Sequence, residues 1–251
     1  MSRMPFPALL LAAVGALLCG GAGSAGASAT DDLTAATGAG QPSYLVVTDA
    51  TAKGTPALTA VATEAAQRVG ARVIVLDRGA SENASLVAKY RVASAPVPVV
   101  LVIAGNGLPV AGLTADKATA AALVAAIPTP KKLETLVGFS DRRAVFVLVS
   151  GEKMAGRAAA AELASAAMLS MEPTKTKARL VLVDVADPKE AAFVAELALG
   201  KLEVPTVVVF NAAGKRITTL RVPFTAQALA EAAAKTGASC CEGGVCGHDD
   251  K

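Results

Sequence analysis

The 251-residue chain carries 24 Lys and Arg against 21 Asp and Glu, a formal net charge of +3, and is 53% hydrophobic with only 3% aromatic residues. Charged residues make up 18%, below the roughly 25% usual in soluble domains, which excludes a highly charged disordered chain. The near balance of charge and the scarcity of rings also exclude a basic nucleic-acid footprint and base-stacking platforms, so no nucleic-acid partner is expected.

Arg3 precedes a short apolar run at 8–18, and small residues follow to Ala27-Ser28-Ala29. A positive start, a short apolar stretch and an A-x-A site together read as a secretory signal peptide over 1–29. The run is shorter than the roughly 20 residues of a membrane span. No later segment is apolar for long enough, so no transmembrane segment is expected. Cleavage after Ala29 removes Arg3 and Cys19, leaving 23 basic against 21 acidic residues, a net +2. Cys19, followed by Gly20, is the alternative as a lipid-anchor position, although the bulky Leu18 before it fits that signal poorly. The expected location is periplasmic or extracellular, where thiols tend to pair or to bind metal.

Residues 30–41 read as a linker. A strand is predicted at 44–48, then a helix capped by Thr55 with Pro56 at its first position. Leu58, Val61, Ala62, Ala65, Ala66 and Val69 make that helix's apolar stripe, and Gly70 ends it. A buried strand at 73–76 leads to a helix capped by Ser81 and carrying Leu86, Val87 and Tyr90. A strand at 99–103, an Asn106-Gly107 turn, a strand at 110–113 and a helix at 118–127 complete the unit.

Residues 131–140 read as a second linker, with Lys131, Lys132, Arg142 and Arg143 as its solvated charges. The same order of elements then recurs. A strand is predicted at 145–149, a helix at 157–169 and a strand at 180–183. Asp187, Pro188 and Glu190 read as a capping box before a helix bearing Phe193, Val194 and Leu197. Strand, turn and strand at 206–220 and a helix at 225–235 follow. The repeat is also visible directly. ARVIVLD at 71–77 matches ARLVLVD at 178–184, and VPVVLVIAGNG at 97–107 matches VPTVVVFNAAG at 204–214, both 107 residues apart. Aligned Asp, Pro and Gly punctuation is not a product of alanine-rich composition. The chain therefore holds two homologous α/β domains, 42–130 and 141–236, each with a mixed sheet flanked by helices.

The order β-α-β-α-β-β-α resembles the thioredoxin fold. Its marks are Asp77, the LVAKYRV stretch at 86–92, a proline before the third strand and the Asn106-Gly107 turn. Val204-Pro205-Thr206 is similar to the family's cis-proline triplet. In the first unit the repeat alignment selects Pro98 for this role, whereas spacing from Tyr90 selects Pro96. The resemblance implies structural cis-prolines at Pro98 and Pro205. It also implies where a C-x-x-C redox motif would stand: at 48–55 and 150–157. These read TDATAKGT and SGEKMAGR, with no cysteine. Ordinary dithiol exchange is thus not expected, and the resemblance implies a binding role like that of non-catalytic protein disulfide isomerase domains, with a protein partner.

Residues 237–251 read as a flexible tail in which the remaining chemistry is concentrated. Cys240, Cys241 and Cys246 are all the cysteines beyond the leader, and His248 is the chain's one histidine. Thiolates and imidazole are ligands for zinc and copper(I), and the intervening glycines let the backbone fold around a small ion. The expected metal ligands are therefore Cys240, Cys241, Cys246 and His248, with zinc or copper as the bound ion. Their C-C-x4-C-x-H spacing does not by itself select the metal. Three thiols also permit one disulfide, from Cys240 or Cys241 to Cys246, and a free thiol able to exchange with it. That alternative makes the chain an accessory in thiol–disulfide oxidoreduction. A third reading is a plain protein-interaction module. A histidine-based triad, a P-loop and a dinucleotide fingerprint are all missing from the sequence. Asn83-Ala84-Ser85 is an N-glycosylation sequon.

Overall fold

The computed structural model describes residues 28–171 and 177–235. Residues 1–27 of the expected signal peptide and the Cys/His tail lie outside the described residues.

The first domain runs α1 (Ala29–Gly38), β1 (Ser43–Thr48), α2 (Thr55–Val69), β2 (Arg72–Asp77), α3 (Ala84–Tyr90), β3 (Val99–Ile103), β4 (Pro109–Thr114) and α4 (Ala120–Ala126). The second runs α5 (Pro130–Ser140), β5 (Ala144–Ser150), α6 (Arg157–Met171), β6 (Ala178–Asp184), α7 (Ala191–Glu196), β7 (Thr206–Phe210), β8 (Arg216–Arg221) and α8 (Ala226–Ala234). The four-stranded sheets are ordered β2-β1-β3-β4 and β6-β5-β7-β8. In each, the first pair is parallel and the other two antiparallel. A register irregularity recurs at the same place, between Val102 and Ile103 and between Val209 and Phe210. Two mixed sheets of this order, each flanked by helices, are tandem thioredoxin-like domains.

Helices on both faces explain the continuous apolar runs. Every residue of β5 is buried, as are five of the six in β1. Side chains alternate between two half-cores. In the first domain Tyr44, Val46, Val100 and Val102 pack with Leu58, Ala62, Ala65 and Leu123 of α2 and α4. Leu45, Val47, Ile74 and Leu76 pack on the other face with Leu33 and Leu86 of α1 and α3. The second domain repeats this, with Ala160, Ala164 and Ala167 of α6 against Phe146 and Leu148. Burial pushes the Tyr44 phenol up from its ordinary pKa, and its hydroxyl donates to the Leu123 carbonyl at 3.1 Å.

Several expectations are corrected. Residues 30–41, read as linker, contribute most of α1, and Ala29, read as the last residue of the signal peptide, is its first residue; the helix buries Ala29, Leu33 and Ala36. Residues 131–140, also read as linker, lie in α5, capped by Thr129 with Pro130 at its first position. α5 packs on β5 and β6. Gly138 permits this close approach, since a Cβ there would lie 2.5 Å from Val145 Cγ2. Lys131 and Lys132 are not free linker charges: they pair with Glu134 at 2.9 Å and Glu196 at 2.6 Å. The 107-residue offset holds only for the later elements. It is 101 from the start of β1 to that of β5 and 102 from α2 to α6, so five extra residues enter between α6 and β6.

The proline expectation divides. The Val97–Pro98 bond is cis, but Pro205 is not in a cis bond, and the second cis bond is Val222–Pro223. Pro205 instead continues β7 in line. Its carbonyl accepts from Val222 N at 3.2 Å, adding a rung beyond the β7–β8 ladder. The capping box at 187–190 also differs. Asp187 accepts from Lys189 N, while the Glu190 carboxylate turns inward, 2% exposed. It accepts from Thr129 Oγ1 at 2.6 Å and Lys131 N at 2.9 Å, thereby capping α5. Asn83 of the sequon is 6% exposed, and its Nδ2 donates to the Asp77 carbonyl at 2.8 Å, so the folded domain does not present this amide.

Candidate functional site

The loops between β1 and α2 and between β5 and α6 occupy the places implied for a redox motif. In the first domain the loop leaves the buried centre of the sheet at Thr48 and enters α2 at Thr55. The Thr48 and Thr55 hydroxyls hydrogen-bond at 2.7 Å. Asp49 folds over the loop and accepts from Thr51 N at 2.8 Å and Thr51 Oγ1 at 2.7 Å. Arg78, one residue past the end of β2, reaches across to Asp49 Oδ2 through Nε at 3.0 Å and Nη2 at 2.6 Å. Its Nη1 donates to the carbonyls of Ala93 at 3.1 Å and Ala95 at 2.7 Å, ahead of the Val97–Pro98 bond.

This Asp49–Arg78 cluster joins the ends of β1 and β2 to the segment that leads into β3. The Thr51 hydrogen bonds, followed by Arg78, hold the Asp49 carboxyl below the usual carboxylate range. All three guanidinium nitrogens donate to protein acceptors. The charges therefore satisfy one another, and the cluster clamps the loops together. Sequence reasoning missed it because Arg78 meets Asp49 across 29 residues and has no repeat counterpart: position 185 is Val.

The second loop has a different chemistry. Ser150 is buried, the Val185 amide donates to its carbonyl at 3.1 Å, and Met154 N donates to the Gly151 carbonyl at 3.1 Å. It is a backbone-tied turn.

The expected metal ligands, Cys240, Cys241, Cys246 and His248, lie outside the described residues, as does Cys19. The described residues contain no cysteine and no histidine. Among them, no group of three or more His, Cys, Asp or Glu residues stands together as a metal site. No helix among the described residues is long and apolar enough to cross a membrane.

The fold defines a class, the tandem thioredoxin-like proteins. No protein-family model and no curated protein sequence matches the chain. Solved structures do. ERdj5 is 11% identical, with a TM-score of 0.29, over 76% of this chain and 26% of that one. The first two thioredoxin domains of Saccharomyces cerevisiae Eps1p are 11% identical, with a TM-score of 0.33, over 84% of this chain and 97% of theirs. Zinc-bound human ERp44 is 10% identical, with a TM-score of 0.33, over 72% of this chain and 50% of that one. This chain thus spans about a quarter of ERdj5, half of ERp44 and nearly all of the Eps1p two-domain fragment. At such identities and scores the fold assignment stands on the chain's own strand order and helix placement.

Proposed function

We propose that this is an exported, non-catalytic binding protein in which the C-terminal segment captures a thiophilic metal ion. The two thioredoxin-like domains serve as a scaffold and as a docking surface for a protein partner. The observation that carries the reading is the concentration of Cys240, Cys241, Cys246 and His248 within nine residues of sequence, beside two domains that hold neither residue type. Thiolate and imidazole donors on a glycine-rich segment suit zinc or copper(I). The mutual pairing of Asp49 and Arg78 supports a scaffolding role for the first loop, because both charges are already engaged.

Replacing the three tail cysteines by serine tests the reading. The variant should lose its metal while both domains unfold at unchanged temperatures. A large fall in stability would show that the segment is part of a domain core. The odd number of thiols favours one competing reading, a tail that passes a disulfide to a partner. Replacing His248 by Ala separates the two: metal affinity should fall by about 10-fold or more if the imidazole is a ligand, whereas disulfide exchange would be unchanged.

A further inference from the structure

Two overlapping A-x-A sites lie at the start of the first helix: Ala25-Gly26-Ala27, which ends before it, and Ala27-Ser28-Ala29, which runs into its first residue. Local sequence does not choose between them, since either supplies small residues at both recognised positions. The folded domain does distinguish them. Ser28 is the N-cap of α1, with extended backbone, and makes a reciprocal capping box with Asp31. Its Oγ accepts from Asp31 N at 3.2 Å, its backbone N donates to Asp31 Oδ2 at 3.3 Å, and its hydroxyl donates to the same oxygen at 2.9 Å. Ala29 is 9% exposed and belongs to the core cluster that holds Leu33, Leu45 and Ile74. One turn later Asp32 pairs with Arg72 of β2.

We infer that the chain is processed between Ala27 and Ser28, and that Ser28 is the first residue of the mature protein. The inference rests on the export reading above. Hydrolysis of the Ala27–Ser28 peptide bond consumes one water, leaving a carboxylate on Ala27 and an α-ammonium on Ser28. That ammonium replaces the amide already directed at Asp31 Oδ2, so the existing contact becomes an ion pair at the helix start. Asp31 and Asp32 offset the unfavourable meeting of a positive terminus with the helix dipole. Cleavage two residues later would instead remove both the cap and the buried Ala29. It would also place the new ammonium on Thr30, inside the first turn.

The test is N-terminal sequencing of the full chain after export from a secreting bacterial host. A Ser28 start supports the inference. A Thr30 start overturns it and leaves export standing. A chain that keeps Met1, or one blocked and lipid-modified at Cys19, overturns it; retention of Met1 removes the export reading as well. A second variant, Ala25→Arg, lies before the fold and spoils only the upstream A-x-A site. It should abolish the Ser28 start, and persistence of that start would overturn the inference.

Discussion

Truncating Leu33 to alanine should destabilise the first domain strongly, although the residue lies in a stretch whose sequence reads as linker. Leu33 is the one long apolar side chain of α1, is 3% exposed, and packs with Leu45, Val47, Ile74 and Leu76. Burial of a leucine followed by its removal costs about 2–5 kcal/mol, from lost transfer energy and the cavity left behind. α1 is a short outer-layer helix that can settle inward, so the lower half of that range, about 2–3 kcal/mol, is expected. At about 4–8 °C per kcal/mol for a domain of this size, the melting temperature should fall by roughly 10–20 °C. The chain has no Trp, so far-UV circular dichroism is the suitable assay. The transition of the second domain serves as an internal reference. A change within about 0.5 kcal/mol, the range of ordinary surface substitutions, would refute the placement of α1 in the core.

Three further outcomes follow from the geometry. Gly138→Ala introduces a Cβ 2.5 Å from Val145 Cγ2 and should cost about 1–3 kcal/mol in the second-domain transition; an unchanged midpoint would contradict the close packing of α5. Glu190→Ala removes a buried carboxylate and strips two half-buried donors, Thr129 Oγ1 and Lys131 N, of their acceptor and should cost about 1–3 kcal/mol in urea unfolding, whereas a surface carboxylate would cost almost nothing. Asp49 has a folded pKa below its unfolded one, through Thr51 first and then Arg78. Its contribution is therefore present above the unfolded carboxylate pKa and is lost as pH falls through the folded value. Asp49→Asn should flatten the acid limb of the first domain's stability curve, and an unaltered limb would count against the cluster.

Much of this architecture is legible in the residues because it depends on local pattern. Apolar runs at 44–48 and 145–149 announce buried central strands, and Pro56 announces a helix start, although the cap is Gly54 in a left-handed conformation and Thr55, expected as the cap, is already the first helical residue. The aligned VPVVLVIAGNG and VPTVVVFNAAG segments reveal the duplicated second halves. What escapes the sequence depends on distant pairing. α1 has only Leu33 as a sizeable anchor, too weak a stripe to register, and its stability comes from packing Ala29, Leu33 and Ala36 against the first domain, with the Asp32–Arg72 pair beside them. Glu190 stands where a capping box expects it, yet its carboxylate serves a helix start some 60 residues earlier. The Asp49–Arg78 clamp likewise spans loops that only folding brings together. Pro205 shares a triplet with cis-prolines, but the ladder to Val222 draws it into the strand. The tail chemistry, in contrast, is read wholly from residue type and clustering.

Metal content measured by mass spectrometry, on mature protein purified without oxygen or chelators, tests the central claim most directly. The account predicts about one zinc or copper ion per chain, as expected for a site with four thiolate and imidazole ligands, and its loss when Cys240, Cys241 and Cys246 become serine. A wild-type protein without metal, or a serine variant that keeps its full complement, would contradict it.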